Sequence, residues 1–366
     1  MRSSHLRRSL LLAFTLLAAS AWYLYEQTTP LATANPTRPT RVPPAKADAI
    51  LVGEVGSLTG PEAEFGISTR NGVELAINEA NASGGVRGRP LSLRVYDDQS
   101  RPEGAARATR RLVEQDRVAL ILGEAVSASS LAMAPIAQAA GVPMVTPAST
   151  NPAVTEVGDY VFRACFSDSF QGLVMARFAR ATLKLQRVAV LVEAGSVYSE
   201  GLGREFERRF TELGGQVAVG ATYRKGDTDF RAQLAAIERA KVKAIYLPGY
   251  VAEVVLIAQQ AKQSGLEATL LGGDGWDSER LFETGGAWIN GSYLTNHYSA
   301  EDPRVEDFVR RYREVFSSAP DARAALGYDA ARVAVDAMRR APDLSGPALR
   351  AALARTVDYP GVTGAI

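Results

Sequence analysis

From Ala49 onward the hydrophobic positions switch between two periods. Ile50–Val55 is a short apolar run ending at the polar, glycine-bounded segment Gly56–Gly60, which predicts a buried strand. Residues 69–81 carry Val73, Ala76, Ile77 and Ala80 at helical spacing and stop at Gly84-Gly85, so they predict an amphipathic helix. Leu91–Tyr96 alternates as a strand and ends at Asp97-Asp98, and residues 103–115 return to a helical stripe of Ala105, Ala108, Leu112 and Val113. Val118–Leu122 is apolar throughout, as a parallel strand covered on both faces would be. A helix at 128–140 and the strand Val142–Thr146 follow, then a loop. The pattern restarts with helix 170–184, strand Val188–Val192, helix 200–213, strand Gln216–Tyr223, helix 230–240, strand Ala244–Leu247, helix 251–264, strand Ala268–Leu271 and a strand near 292–296. Helical segments at 303–317, 322–341 and 345–356 close the chain.

Strands alternating with helices of this length imply βαβ units, and two separate runs of them imply an α/β protein with two doubly wound, Rossmann-like parallel sheets. In such sheets ligands sit at the carboxyl ends of strands, where loops lead into helix N-termini. That rule selects Gly56–Gly60, Asp97–Ser100, Gly123–Ser130, Thr146–Asn151, Glu193–Ser199, Pro248–Val251 and Gly272–Trp276. These loops are richer in hydroxyls and aromatics than in bases or nucleophiles. That composition suits holding a polar small molecule better than transforming one.

The chain ahead of Ala49 is different in kind. Met1–Arg8 holds three arginines and no acid, and Ser9–Tyr25 is uncharged, the pattern of an export signal. Ala19-Ser20-Ala21 and Ala32-Thr33-Ala34 fit a cleavage rule, whereas Trp22, Tyr23 and Tyr25 would suit the interfacial belt of a retained anchor. Residues 1–26 therefore read as a signal peptide or an inner-membrane signal anchor, and both place the body outside the cytoplasm. Residues 27–48, with Pro30, Pro36, Pro39, Pro43 and Pro44, read as an extended linker.

Charge narrows the function classes. The 366 residues carry 41 basic and 40 acidic side chains, or 38 and 39 once Arg2, Arg7, Arg8 and Glu26 are set aside. Such a body has no global drive toward nucleic acid. Cys165 is the only cysteine, and His5 and His297 are the only histidines, which excludes a disulfide and any Cys- or His-rich metal site. No cofactor or metal is expected. A hydrolase would have to pair Ser57 or Ser127 with His297, and neither a G-x-S-x-G elbow nor a P-loop is present.

Seven segments, in order, carry a resemblance: GEVGSLTGPEAEFG (53–66), NGVELAINEANASGGVRGRPLSLRVYDDQS (71–100), LILGEAVSASS (120–130), GVPMVTPASTNP (141–152), VYSEGLG (197–203), YLPGY (246–250) and LLGGDGW (270–276). The body resembles the type I periplasmic binding proteins, in particular the leucine/isoleucine/valine-binding branch that feeds ABC transporters. The resemblance implies a clamshell of two lobes joined by hinge crossings, with residues 49–167 and 298–358 in lobe 1 and 168–297 and 359–366 in lobe 2. It implies a monomer that closes on an amino acid and delivers it to a membrane permease. A membrane-tethered ligand sensor is the alternative on the same fold.

Family ligand contacts carry over to matching positions. Ser127 would bind the ligand carboxylate through its hydroxyl, Ala148 through backbone groups, and Thr150 would serve the carboxylate and amino ends through its amide and hydroxyl. Tyr198 and Tyr250 would cover the ligand from the second lobe, Asp274 would pair with the α-ammonium, and Phe65 would line the side-chain pocket. Asp274 is one methylene shorter than a glutamate, Trp276 beside it would reshape the pocket, and the chain ends at GVTGAI where the family usually continues to a third hinge crossing. Each residue also has a plainer role open to it: Ser127 as a helix cap, the two tyrosines as packing, Asp274 as a turn residue, His297 as a structural polar group.

Overall fold

The computed structural model describes residues 48–366, so the signal segment (1–26) and nearly all of the linker (27–48) lie outside the described residues. The first run folds as β1 (Ile50–Gly56), α1 (Ala63–Ala82), β2 (Leu91–Asp97), α2 (Pro102–Arg111), β3 (Leu120–Leu122), α3 (Ser127–Ala140), β4 (Met144–Thr146), α4 (Ala153–Glu156) and β5 (Val161–Arg163). Its strands form one parallel sheet in the order β2-β1-β3-β4-β5. The second run follows as α5 (Asp168–Arg177), β6 (Arg187–Glu193), α6 (Val197–Glu212), β7 (Gln216–Tyr223), α7 (Arg231–Arg239), β8 (Ala244–Tyr246), α8 (Val251–Gln263), β9 (Thr269–Gly272), α9 (Glu279–Gly285) and β10 (Tyr293–Leu294). Its parallel sheet reads β7-β6-β8-β9-β10, the same winding as the first. The central strands β3 and β8 are buried at every residue, as helices on both faces require.

The chain then returns to the first lobe with α10 (Glu306–Phe316), α11 (Ala322–Arg340) and α12 (Gly346–Leu353). Helix α11 lies along α1, with Ala324, Ala331 and Val335 sharing a core with Val73, Ala76 and Ala80. The approach is close because Gly72 has no side chain: a Cβ there would lie 1.9 Å from the carbonyl oxygen of Ala324. This seam fixes where α11 begins, and so where its first turn enters the space between the lobes.

Most element boundaries fall where the hydrophobic periods put them, with informative exceptions. Helix α1 starts six residues before its predicted start, because Phe65, Gly66 and Thr69 are already buried. The loop after β4 contains α4 and the edge strand β5, too short to show a period. Residues 359–366 were expected in lobe 2, but they sit on lobe 1 as the hairpin β11 (Pro360–Gly361)–β12 (Gly364–Ala365). Asp329 of α11 holds it there, accepting from the amide N–H groups of Val362 at 2.9 Å and Thr363 at 2.8 Å and from the Thr363 hydroxyl at 2.8 Å. Tyr359, Val362 and Ile366 pack against the lobe 1 core.

Candidate functional site

The loops at the carboxyl ends of β3 and β4 are stitched to each other. The carbonyl oxygen of Glu124 accepts hydrogen bonds from the hydroxyls of Ser130, Thr146 and Ser149. Arg163 of β5 donates to the carbonyl oxygens of Ser149 at 3.0 Å and Asn151 at 2.7 Å, which sets the backbone around Thr150. Ser127 is the first residue of α3 but not its cap; that position is Val126, and no side chain caps this helix. Among the described residues the Ser127 hydroxyl has only a long 3.4 Å contact, from the Asn151 N–H. Ala148 is buried against Ala125 and Leu326. Thr150 is buried beside the Asp168 carboxyl group, whose pKa its hydroxyl lowers by hydrogen bonding, and its Oγ1 has no other partner among the described residues. A serine hydroxyl, a helix start and a second hydroxyl converge here, a donor set suited to a carboxylate.

The other candidate loops of lobe 1 are occupied structurally. Asp97 accepts from the Leu58 and Thr59 amides, and the Ser57 hydroxyl donates to Asp98 at 2.9 Å and Glu124 at 3.0 Å. Segment 56–60 is thus a turn pinned by acids. Burial and the neighbouring Asp98 raise the Glu124 carboxyl above its ordinary range.

From lobe 2, Tyr198 in the first turn of α6 stacks on Tyr250 at 5.2 Å between ring centroids, and Tyr250 meets Phe65 of lobe 1 at 6.1 Å. The Tyr198 hydroxyl donates to Oδ1 of Asp274 at 2.9 Å, as does Nε2 of Gln171 at 2.9 Å. Gly273 makes this approach possible, since a Cβ there would lie 2.7 Å from the Tyr198 oxygen. On the other side, Oδ2 of Asp274 faces Arg323 Nη1 at 3.2 Å and His297 Nε2 at 3.5 Å. Burial would raise the Asp274 pKa, but the Arg323 guanidinium and His297 overcome it and hold the carboxyl well below its usual range. Trp276 turns away: its Nε1 donates to the Leu247 carbonyl at 3.0 Å, and its ring joins the lobe 2 core.

Four residues at this site escaped the sequence reading of ligand contacts. Gln171 orders Asp274 twice, through the side chain and by accepting from the Asp274 N–H at 2.8 Å. His297 stacks on Phe166 at 3.5 Å and abuts Asp274, so it is paired with neither Ser57 nor Ser127. Asp168 has a buried carboxyl group; burial, then the charge on Asp274, push its pKa up to about 8 against the lowering effect of the Thr150 hydroxyl. Arg323, in the first turn of α11, crosses from lobe 1 to Asp274. Its only sequence signal is an arginine set among small apolar residues in DARAALGYDAARV.

The lobes are shut on each other. Glu62 pairs with Lys225, Ser278 donates to Glu64 at 2.8 Å, the Ala322 N–H donates to Asp277 at 2.9 Å, and Asn151 Nδ2 donates to the Val197 carbonyl at 2.7 Å. At the mouth a cavity of about 210 Å³ is lined by Ser57, Glu62 and Ser129 from one lobe and Glu193, Tyr198 and Tyr250 from the other.

Two identically wound lobes closed over a cleft of hydroxyls, free helix-start amides, stacked aromatics and one acid define a small-molecule binding clamshell. The chain belongs to the periplasmic binding protein family, whose sequence profile matches residues 49–366. It is 32% identical over 269 residues to a leucine-, isoleucine-, valine-, threonine- and alanine-binding protein of Pseudomonas aeruginosa, covering 73% of this chain and 72% of that one. A leucine-specific-binding protein of Salmonella typhimurium is 30% identical, over 69% of this chain and 68% of its own. Among solved structures, a leucine-binding protein of Thermotoga maritima superposes with a TM-score of 0.83 at 39% identity, over 87% of this chain and 91% of that one. A branched-chain amino acid transporter substrate-binding protein of Streptococcus pneumoniae, in complex with isoleucine, gives 0.81 at 30% identity over 87% and 91%.

Proposed function

We propose that this protein closes on an amino acid outside the cytoplasm and delivers it, unmodified, to the permease of an ABC transporter. The ligand carboxylate would lie on the Ser127 hydroxyl and the backbone of Ala148 and Thr150, the ammonium between Thr150 Oγ1 and Asp274, and Phe65, Tyr198 and Tyr250 would wall the site from water. The observation that carries this reading is a helix start with no side-chain cap and the buried hydroxyls of Ser127 and Thr150 beside it. A buried polar group without a partner costs about 1–3 kcal/mol, which a ligand contact recovers. The functions of the relatives support the choice of amino acids and of a transporter as partner. The same names favour an extracytoplasmic location and a carrier over a catalyst.

Thermal shift of the purified protein against the twenty amino acids tests this, because a ligand that binds only the folded state raises its melting temperature. A saturable rise with one amino acid class, lost in Ser127→Ala and in Thr150→Val while the unliganded melting temperature holds, is the expected result. A well-folded protein that no amino acid stabilises would refute it.

A further inference from the structure

The cavity at the mouth of the cleft holds more negative charge than its surroundings balance. It borders the start of α3 through Val126 and Ala128 and, across from them, the stacked rings of Tyr198 and Tyr250, so it adjoins the site that would hold an amino acid. Glu193, the last residue of β6, lines it from lobe 2, together with Lys225 and with Glu62 of lobe 1. Both glutamates are only 6% exposed. Lys225 is spent on Oε1 of Glu62, and Oε2 of each glutamate has no hydrogen-bond partner among the described residues. Glu253, in the first turn of α8, is equally buried and accepts from the Gly226 N–H at 2.9 Å. Three carboxyl groups thus share one ammonium.

That imbalance falls on Glu193. Burial, then the charge of Glu253, raise its pKa to about 7, and Lys225 offsets them only in part. The Tyr250 hydroxyl is pushed up as well, by burial and then by Glu62, with Asp274 and Glu193 adding to it. Tyr250 therefore stands between the acid assigned to the ligand ammonium and the acids of the cavity. In the amino-acid reading, on which this inference rests, the ligand zwitterion and the Asp274–Arg323 pair are each neutral. The space beyond the two tyrosines is left for the side chain, and the cavity alone decides what charge that side chain carries. A hydrocarbon there would seal Glu193 from water without a partner, which is costly for an acid. An ammonium or guanidinium would supply the missing cation, donate to the carboxylate and lie against the tyrosine rings.

We propose that Glu193 is a specificity-determining residue and that the ligand is an amino acid with a basic side chain, its cationic end held on the Glu193 carboxylate in the cavity at the mouth.

Calorimetric titration of the full-length protein tests this, with L-lysine and L-arginine each set beside an uncharged counterpart, L-norleucine and L-citrulline, and with L-leucine and L-glutamate. The better of the two basic amino acids binds at least ~10-fold more tightly than its counterpart and than leucine, the scale of one charge-assisted hydrogen bond. Glu193→Gln, which keeps the shape of the side chain and removes its charge, erases that difference. Wild-type protein that binds an uncharged or acidic amino acid as tightly as the better basic one overturns the inference and leaves the amino-acid reading standing. A Glu193→Gln protein that keeps the full preference overturns the role given to Glu193, and with it the inference. No binding by any of the twenty amino acids overturns both readings. The wild-type titrations decide between them even if Glu193→Gln does not fold.

Discussion

Asp274→Asn should open the clamshell rather than unfold it. The Asp274–Arg323 pair joins the lobes at 3.2 Å with both side chains nearly sealed from solvent. At an effective dielectric near 20, opposite charges at that distance attract by about 5 kcal/mol, much of it offset by the loss of hydration of both groups. Removing one partner is costlier than the net worth of the pair, about 3–5 kcal/mol, because the remaining charge stays buried alone. Here that cost has an escape. Arg323 belongs to lobe 1 and Asp274 to lobe 2, so opening the hinge returns the guanidinium to water. Asparagine can still accept from Tyr198 and Gln171, which keeps the lobe 2 loop in place. The penalty therefore falls on the closed state, and a shift of 3 kcal/mol moves the open-to-closed ratio by roughly 150-fold. Small-angle scattering should show a larger radius of gyration for the variant, with an unfolding midpoint in denaturant close to that of the wild type. The double variant Asp274→Asn/Arg323→Met, which removes both members of the pair, should be compact again. An unchanged radius for Asp274→Asn would refute the reasoning, as would a double variant that stays open.

Three further outcomes follow from groups outside the ligand contacts. Glu54 is buried with both carboxylate oxygens unpartnered, and burial, then repulsion by Glu74, raise its pKa to about 8. The folded state thus keeps a proton that the unfolded chain releases near pH 4.5, and stability falls as pH rises from about 5 to 8. Glu54→Gln should flatten that fall and melt higher than wild type at pH 8, by an amount on the order of a few kcal/mol in stability; identical pH slopes would contradict it. Gly72→Ala puts a methyl group against the Ala324 carbonyl and must push α11 off α1, costing at least about 1–3 kcal/mol by urea titration. Lys225→Met removes the bridge to Glu62 at the mouth, where Lys225 is half exposed. Because Glu62 is buried and would be left without its partner, the substitution should weaken closure by about 1 kcal/mol or more, a difference that shrinks in high salt when compactness is measured by scattering.

What the sequence made legible and what it hid divide along the range of the forces involved. Burial of one helix face or both strand faces writes its period into consecutive residues, so nine of the ten sheet strands and the longer helices could be read directly, while the short helices α4 and α9 could not. Strand β5 and the hairpin at 360–365 could not, because three residues or fewer per strand carry no period, and the hairpin is held by Asp329, more than thirty residues away in sequence. The site loops were legible for a geometric reason: in a doubly wound sheet they must lie at the carboxyl ends of strands. Ser127, Thr150, Tyr198, Tyr250 and Asp274 all fall there. Arg323 does not; it starts a helix, far from any strand end, in a segment whose small residues signal packing. It reaches the cleft only because Gly72 and Gly327 let α11 lie against α1, which brings its first turn up to a loop of the other lobe. A contact made by closing two lobes depends on the hinge and the helix seam together. That is why Arg323 left no local trace in the chain.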